Sequence, residues 1–244
     1  MKIIVTENFE QTCALAADMI ADVIHSKPDA RLGLATGSTA QGVYPHLVQA
    51  HQAGTLDFSR VNTVNLDEYV GLAPGHPQSY RRFMDENLFD HINIDKKNTV
   101  VASGTGDIEA NVKAFRDAIA AKPIDVQLLG IGVDGHVGFN EPGAVLYDGA
   151  HVEELDESTI DANARFFATR EEVPTRAISM GMGDILRAKK LLLLATGESK
   201  AAAMRGLLLN EELNVQNPAT LVKTHPDATV IIDRELAARV GYRG

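Results

Sequence analysis

The segment Gly130-Ile131-Gly132-Val133-Asp134-Gly135-His136-Val137-Gly138-Phe139-Asn140-Glu141-Pro142-Gly143 places two carboxylates and an imidazole in one glycine-rich loop. A carboxylate beside an imidazole fixes its tautomer and raises its basicity. His136 flanked by Asp134 and Glu141 therefore reads as a proton shuttle for work near neutral pH. Two blander readings share these residues: a surface loop rich in turn formers, and a metal site. The other histidines have no ligand-type spacing near this loop, which weighs against the metal. The literal Gly-x-Gly-x-x-Gly from Gly130 to Gly135 is not a dinucleotide site. Such a site needs a helix opening at the turn, which Gly138, Pro142 and Gly143 would break, and Asp134 would oppose a pyrophosphate.

Asp67-Glu68-Tyr69 follows the apolar stretch Val61-Asn62-Thr63-Val64-Asn65-Leu66, so at least one carboxylate belongs at the end of a strand, where a general base is useful. If the strand continues, Asp67 and Glu68 face opposite sides and only one of them enters a given pocket. A turn or helix-capping aspartate is the alternative. Thr36-Gly37-Ser38-Thr39 joins a strand to a helix, offering backbone N–H groups and hydroxyls at the positive end of a helix dipole, where an oxyanion fits. It lacks the Gly-x4-Gly-Lys-Ser/Thr pattern of a nucleotide loop, and a plain helix cap uses the same residues. Lys200 follows a second such turn, Thr196-Gly197-Glu198-Ser199, at a helix start where a structural role would favour an acidic residue. A cation there wants an anion, although most single lysines are solvated. Leu34-Ala35-Thr36-Gly37-Ser38 and Leu194-Ala195-Thr196-Gly197-Glu198 share four residues, which reads as convergent turn chemistry, not as a repeat.

These clusters need strands to present them. Short apolar runs at 31–35, 61–66, 126–131, 177–180, 190–195 and 229–232 alternate with stretches of helical period at 9–26, 41–52, 78–88, 108–121 and 200–210. That alternation predicts an α/β fold: an open, mostly parallel, twisted sheet with helices on both faces, doubly wound in the Rossmann-like manner. In such sheets ligands bind beyond the carboxyl ends of the strands, and each polar cluster above follows a strand.

The 244 residues, 45% of them apolar, show no composition break, so a single domain over 1–244 is expected. A net charge of −10 excludes broad contact with a nucleic-acid backbone but not a grip on one small anion. The single cysteine, Cys13, permits no internal disulfide and sits in a helical apolar stretch as core filler. The N-terminal residues have neither the apolar core nor the cleavage site of an export signal, and the longest apolar run, Leu191 to Ala195, is far short of a membrane span. A cytoplasmic, non-membrane protein is the expectation.

Taken in order, Asp67-Glu68-Tyr69-Val70-Gly71-Leu72, Asp134-Gly135-His136-x3-Asn140-Glu141-Pro142, Asn163-Ala164-Arg165-Phe166-Phe167 and Ser199-Lys200-Ala201 resemble the glucosamine-6-phosphate deaminase family over nearly the whole chain. The resemblance implies conversion of glucosamine 6-phosphate and water to fructose 6-phosphate and ammonia, a hydrolysis in amino-sugar catabolism that proceeds through aldose–ketose isomerisation. By it, Asp67 moves the proton from C2 to C1, His136 opens the sugar ring, and Asp134 and Glu141 orient and tune that histidine. Gly37, Ser38, Thr39, Arg165 and Lys200 hold the phosphate, and a segment at about 153–174 forms a mobile lid. The substrate's own carbonyl or iminium serves as electron sink, so neither cofactor nor metal is implied. Two alternatives stay open: a 6-phosphogluconolactonase, which hydrolyses without enolisation, and a sugar-phosphate sensor of the kind found in transcription regulators, which would need a DNA-binding helix-turn-helix. The family's activated members carry a serine, an arginine and a lysine in a second phosphate site, where an ungapped count finds Ala144, His151 and Glu153, and they have a longer C-terminal extension than this chain. The resemblance therefore implies no allosteric activator site and a monomer or small homo-oligomer.

Overall fold

The computed structural model describes residues 1–243. Its strands are β1 (Lys2–Thr6), β2 (Arg31–Leu34), β3 (Asn62–Asn65), β4 (Asp67–Tyr69), β5 (Thr99–Val100), β6 (Val126–Leu129), β7 (His151–Glu154), β8 (Arg176–Ser179), β9 (Leu191–Ala195) and β10 (Ala228–Asp233). The helices are α1 (Phe9–Ser26), α2 (Ser38–Gln41), α3 (Tyr44–Gln52), α4 (Tyr80–Asn87), α5 (Ile108–Ala120), α6 (Glu157–Asn163), α7 (Met182–Leu186), α8 (Ala201–Leu208) and α9 (Arg234–Val240).

Seven strands form one sheet in the order β1-β10-β9-β6-β2-β3-β5, every neighbouring pair parallel. Successive strand residues point to opposite faces, yet every residue of β9 and β10 is buried, so both faces of the sheet are covered, as a parallel sheet requires. The chain starts at edge strand β1, crosses to β2 and runs outward through β3 to β5, then returns to the other side of β2 and continues through β6, β9 and β10, which pairs with β1. The strand order thus reverses between β2 and β6, and the crevice beyond their carboxyl ends is where a ligand belongs.

Local chemistry sets the helix bounds. Asn8, Ser79, Asp107 and Asp233 each accept a backbone N–H of the first turn and start α1, α4, α5 and α9. The single helix expected over 41–52 is two: α2 ends at Gln41, and α3 restarts with Pro45 in its first turn, because a proline cannot donate to the carbonyl four residues back in a helix interior.

Residues 177–180, expected in the main sheet, do not join it. β8 is the middle of a separate three-stranded antiparallel sheet, β4-β8-β7. The chain leaves the large sheet at Leu66, whose N–H still bonds Leu34 O (3.1 Å), and enters β4 at Asp67. Met180 N donates to Leu66 O (2.8 Å) and locks the small sheet to that exit. A second apolar cluster, with Tyr69, Phe139, Leu155, Ile160 and Val173, fills the space under the small sheet. No helix of the described residues is long and apolar enough to cross a membrane.

Candidate active site

One cleft, at the predicted crevice, is lined by Thr36, Gly37, Ser38, Thr39, Asp67, Tyr80, His136, Asn163, Arg165 and Lys200 among others. Asp67, His136 and the Gly37, Ser38, Thr39, Arg165 and Lys200 set expected to hold an anion all line it. Asp134 and Glu141 stand directly behind His136 instead of lining the cleft.

Extended backbone through β4 turns Asp67 into the cleft and Glu68 to the other side, as the alternation rule requires. Burial lifts the Asp67 carboxyl to about 7, the Glu68 charge adds to the lift, and His136 opposes it. Such a group is a base that can also hold a proton near neutral pH.

His136 sits on Gly132, where a Cβ would strike the imidazole ring, so the loop can pass beneath the ring only because that position is glycine. Asp134 Oδ1 lies 2.9 Å and Glu141 Oε2 3.3 Å from the same nitrogen, Nδ1. Both carboxylates thus converge on one ring nitrogen, and both favour the charged imidazole. They favour a proton on Nδ1 and leave Nε2 as the nitrogen that can meet a ligand. Burial by itself would lower the imidazole; the two carboxylates outweigh it and raise His136 to about 9. Burial likewise pushes Asp134 up, and its contacts with His136 overcome that and hold it at about 2.

Among the described residues, Asp134, His136 and Glu141 form the one cluster of such side chains close enough to share a cation, their donor atoms within 4.8 Å of one another. Both carboxylates, however, converge on the Nδ1 that a cation would need, so the donor set suits a charged imidazole.

The loop is tied to the small sheet. Ser179, opposite Asp67 in the β4–β8 register, accepts Phe139 N at Oγ (3.1 Å), and Asn140 Nδ2 donates to Val137 O and Met180 O (2.8 and 2.9 Å). Base and imidazole are therefore fixed to one another through β8. Sequence reasoning did not single out Ser179 or Tyr80; nothing local marks a serine in an ordinary strand or a tyrosine in an ordinary helix.

At the other end, Gly37 and Gly197 hold matching left-handed conformations (φ 90°, ψ 166° and φ 86°, ψ 147°). The shared Leu-Ala-Thr-Gly sequence is thus also a shared turn. No side chain caps α2 or the 3-10 turn Glu198–Lys200, so their first N–H groups have no intrahelical or capping partner. Lys200 lies within that turn, just ahead of α8, and does not open the helix itself. Burial pulls its ammonium below its usual value, Asp134 offsets part of that and the Arg165 cation adds to it. Arg165 is in the 3-10 turn after α6, its guanidinium 4.6 Å over the Phe166 ring. Two cations on one cleft with unpaired backbone N–H groups are chemically suited to an anion.

Residues 6–231 match the family described as glucosamine-6-phosphate isomerases/6-phosphogluconolactonase. The glucosamine-6-phosphate deaminase of Thermoanaerobacter pseudethanolicus is 48% identical over 242 residues, covering 98% of this chain and 95% of that protein. That of Clostridium perfringens is 46% identical over 239 residues, covering 97% and 98%. Among solved structures, a monomeric glucosamine-6-phosphate deaminase superposes with a TM-score of 0.95 at 42% identity, covering 98% of this chain and all of that one. The 6-phosphogluconolactonase of Thermotoga maritima superposes with a TM-score of 0.76 at 18% identity, covering 96% and 99%, and shares the fold. The chain belongs to the glucosamine-6-phosphate isomerase/6-phosphogluconolactonase family.

Proposed function

We propose that the chain is a glucosamine-6-phosphate deaminase in which Asp67 and His136 divide the proton transfers. The observation that carries this reading is the joining, in one cleft, of a raised carboxyl at about 7 and an imidazole at about 9, with an anion site at the far end. Gly37, Ser38, Thr39, Arg165 and Lys200 hold the phosphate and set the sugar's C1 and C2 against the other end.

Protonated at neutral pH, His136 donates from Nε2 to the ring oxygen; the imidazole left neutral takes the O1 proton, so the ring opens to the aldehyde and the histidine is restored. Asp134 and Glu141 stabilise the imidazolium throughout. Asp67, ionised, removes the C2 proton as the substrate's ammonium passes one proton to O1, giving the enolamine; Asp67 then returns its proton to C1, leaving an iminium at C2. Water adds there and ammonia departs, giving fructose 6-phosphate. The segment 153–174, which carries α6 and Arg165, acts as a lid over the cleft.

A lactonase has no proton to move between carbons, so it needs no group that takes a carbon-bound proton and returns it. The lactonase structures, below 25% identity, speak for the fold alone. Regulation follows from the second site. His151 Nε2 is 2.7 Å from Glu153 Oε2, so the two residues standing where activated relatives place cations pair with each other. The enzyme works in the cytoplasm as a monomer or small homo-oligomer without the activator site. Incubation with glucosamine 6-phosphate should release ammonia and fructose 6-phosphate in equal amounts. Hydrolysis of 6-phosphogluconolactone without ammonia release would overturn the reading.

A further inference from the structure

Glu68 has no part in the proton transfers above, yet it is 2% exposed and immediately follows the base. Among the described residues no cation pairs with it. The Arg81 guanidinium turns away to Thr99 Oγ1 (2.7 Å) and Asp85 (3.1 Å), and Lys96 joins the same Asp85 (3.2 Å). Backbone holds Glu68 instead: Oε1 accepts the N–H groups of Tyr69 and Tyr80 (2.9 and 3.0 Å), and Oε2 accepts that of Arg81 (3.1 Å).

Tyr80 and Arg81 are the first residues of α4, and the cap Ser79 takes the next donor, Arg82 N (3.1 Å). A strand carboxylate and a cap hydroxyl thus divide the helix's orphan N–H groups between them, and the carboxylate meets the positive end of the helix. The residue so fixed lines the cleft. The Tyr80 ring lies 4.9 Å from Tyr69 of β4 and stacks on Phe139 of the catalytic loop (6.0 Å, interplanar angle 10°). Fixing Tyr80 therefore fixes the wall between the strand that carries the base and the loop that carries the imidazole.

Resting on the deaminase reading, we propose that Glu68 is a positioning residue for the proton transfer, anchoring α4 and Tyr80 from the far face of β4 so that the sugar's C2 is held against Asp67. Burial raises the Glu68 carboxyl to about 7 while its three backbone N–H donors pull the other way; once ionised, its charge also reaches the base. After burial, the Glu68 charge is the next influence that raises the Asp67 carboxyl, against His136; the phenols of Tyr69 on β4 and Tyr80 on α4 also feel the Asp67 charge, and Arg165 and Lys200 line the same cleft.

The test is Glu68→Gln in the full chain. The amide oxygen can still accept from Tyr69 and Tyr80, but the amide nitrogen then faces the Arg81 N–H, donor against donor. The turnover number for ammonia release is expected to fall roughly ten-fold, about the worth of one charge-assisted hydrogen bond, with KM changed by less than about two-fold. With the like charge gone, the Asp67 carboxyl drops, so the acid limb of kcat/KM moves to lower pH, and the 13C titration of the Asp67 carboxyl moves with it. A turnover number, acid limb and titration that all coincide with wild type would overturn the proposal. So would a turnover that falls only in proportion to lost folded protein while the Asp67 titration stays put. If the wild-type chain releases no ammonia, it is the deaminase reading that fails. The Asp67 titration needs no substrate and still decides whether Glu68 acts on that carboxyl.

Discussion

At one end of the cleft, Asp67 and His136 are held by other side chains and by strand pairing through Ser179; at the other, Gly37 and Gly197 offer backbone N–H groups, with Lys200 and Arg165 beside them. The chemical end is buried and internally charged, and its groups shift one another's titration. The anion end is made of backbone dipoles and long cations. The difference teaches that proton transfer here depends on mutual tuning within the protein, whereas substrate capture depends on what the ligand brings.

Breaking the chemical end should have the largest effect. Asp67→Asn keeps the shape and removes the base, and turnover should drop by a factor on the order of 10²–10⁴ with KM little changed. An unchanged turnover number in steady-state assays would make Asp67 a structural residue. Breaking the anion end should act on affinity. Lys200→Ala removes a charge-assisted contact worth roughly 1.5–3 kcal/mol, so KM should rise on the order of 10- to 100-fold. The rise should vanish for substrate analogues lacking the phosphate, and an equal loss for both would remove Lys200 from the phosphate site.

Smaller changes sharpen the contrast. Glu141→Gln takes away one of the two charges that raise His136, so the imidazole should lose its proton at lower pH and the basic limb of the rate profile should fall below about 9. The acid limb, which reports Asp67 near 7, should stay nearer its place. If the basic limb does not move, the limb belongs to another group. Smallest of all, N-acetylglucosamine 6-phosphate should leave the rate curve hyperbolic and unshifted, because an effector without a differential site shifts nothing. Sigmoidal kinetics relieved by that ligand would show a second site.

Where residues act through local pattern, the sequence was readable. The spacing of Asp134, His136 and Glu141 marked the imidazole and its partners, the alternation at Asp67-Glu68 showed that one carboxylate alone would enter the cleft, and strand and helix periods gave the large parallel sheet. Arg165 came from the family resemblance only, since a lone arginine in a polar stretch carries no signal. The small sheet was not legible: β4 and β7 are three and four residues long, and their pairing with β8 joins segments far apart in the chain. Helix α9, seven residues long, was likewise too short to stand out by period. Ser179 and Tyr80 matter only through where that tertiary pairing puts them.

Following a deuterium label at C2 of glucosamine 6-phosphate tests the central claim, proton transfer by Asp67, most directly. Wild-type enzyme should yield fructose 6-phosphate with the label moved to C1 or lost to water, and Asp67→Asn should leave the recovered substrate labelled at C2. Ammonia released together with glucose 6-phosphate still labelled at C2, or an Asp67→Asn variant that moves the label as fast as wild type, would contradict the account.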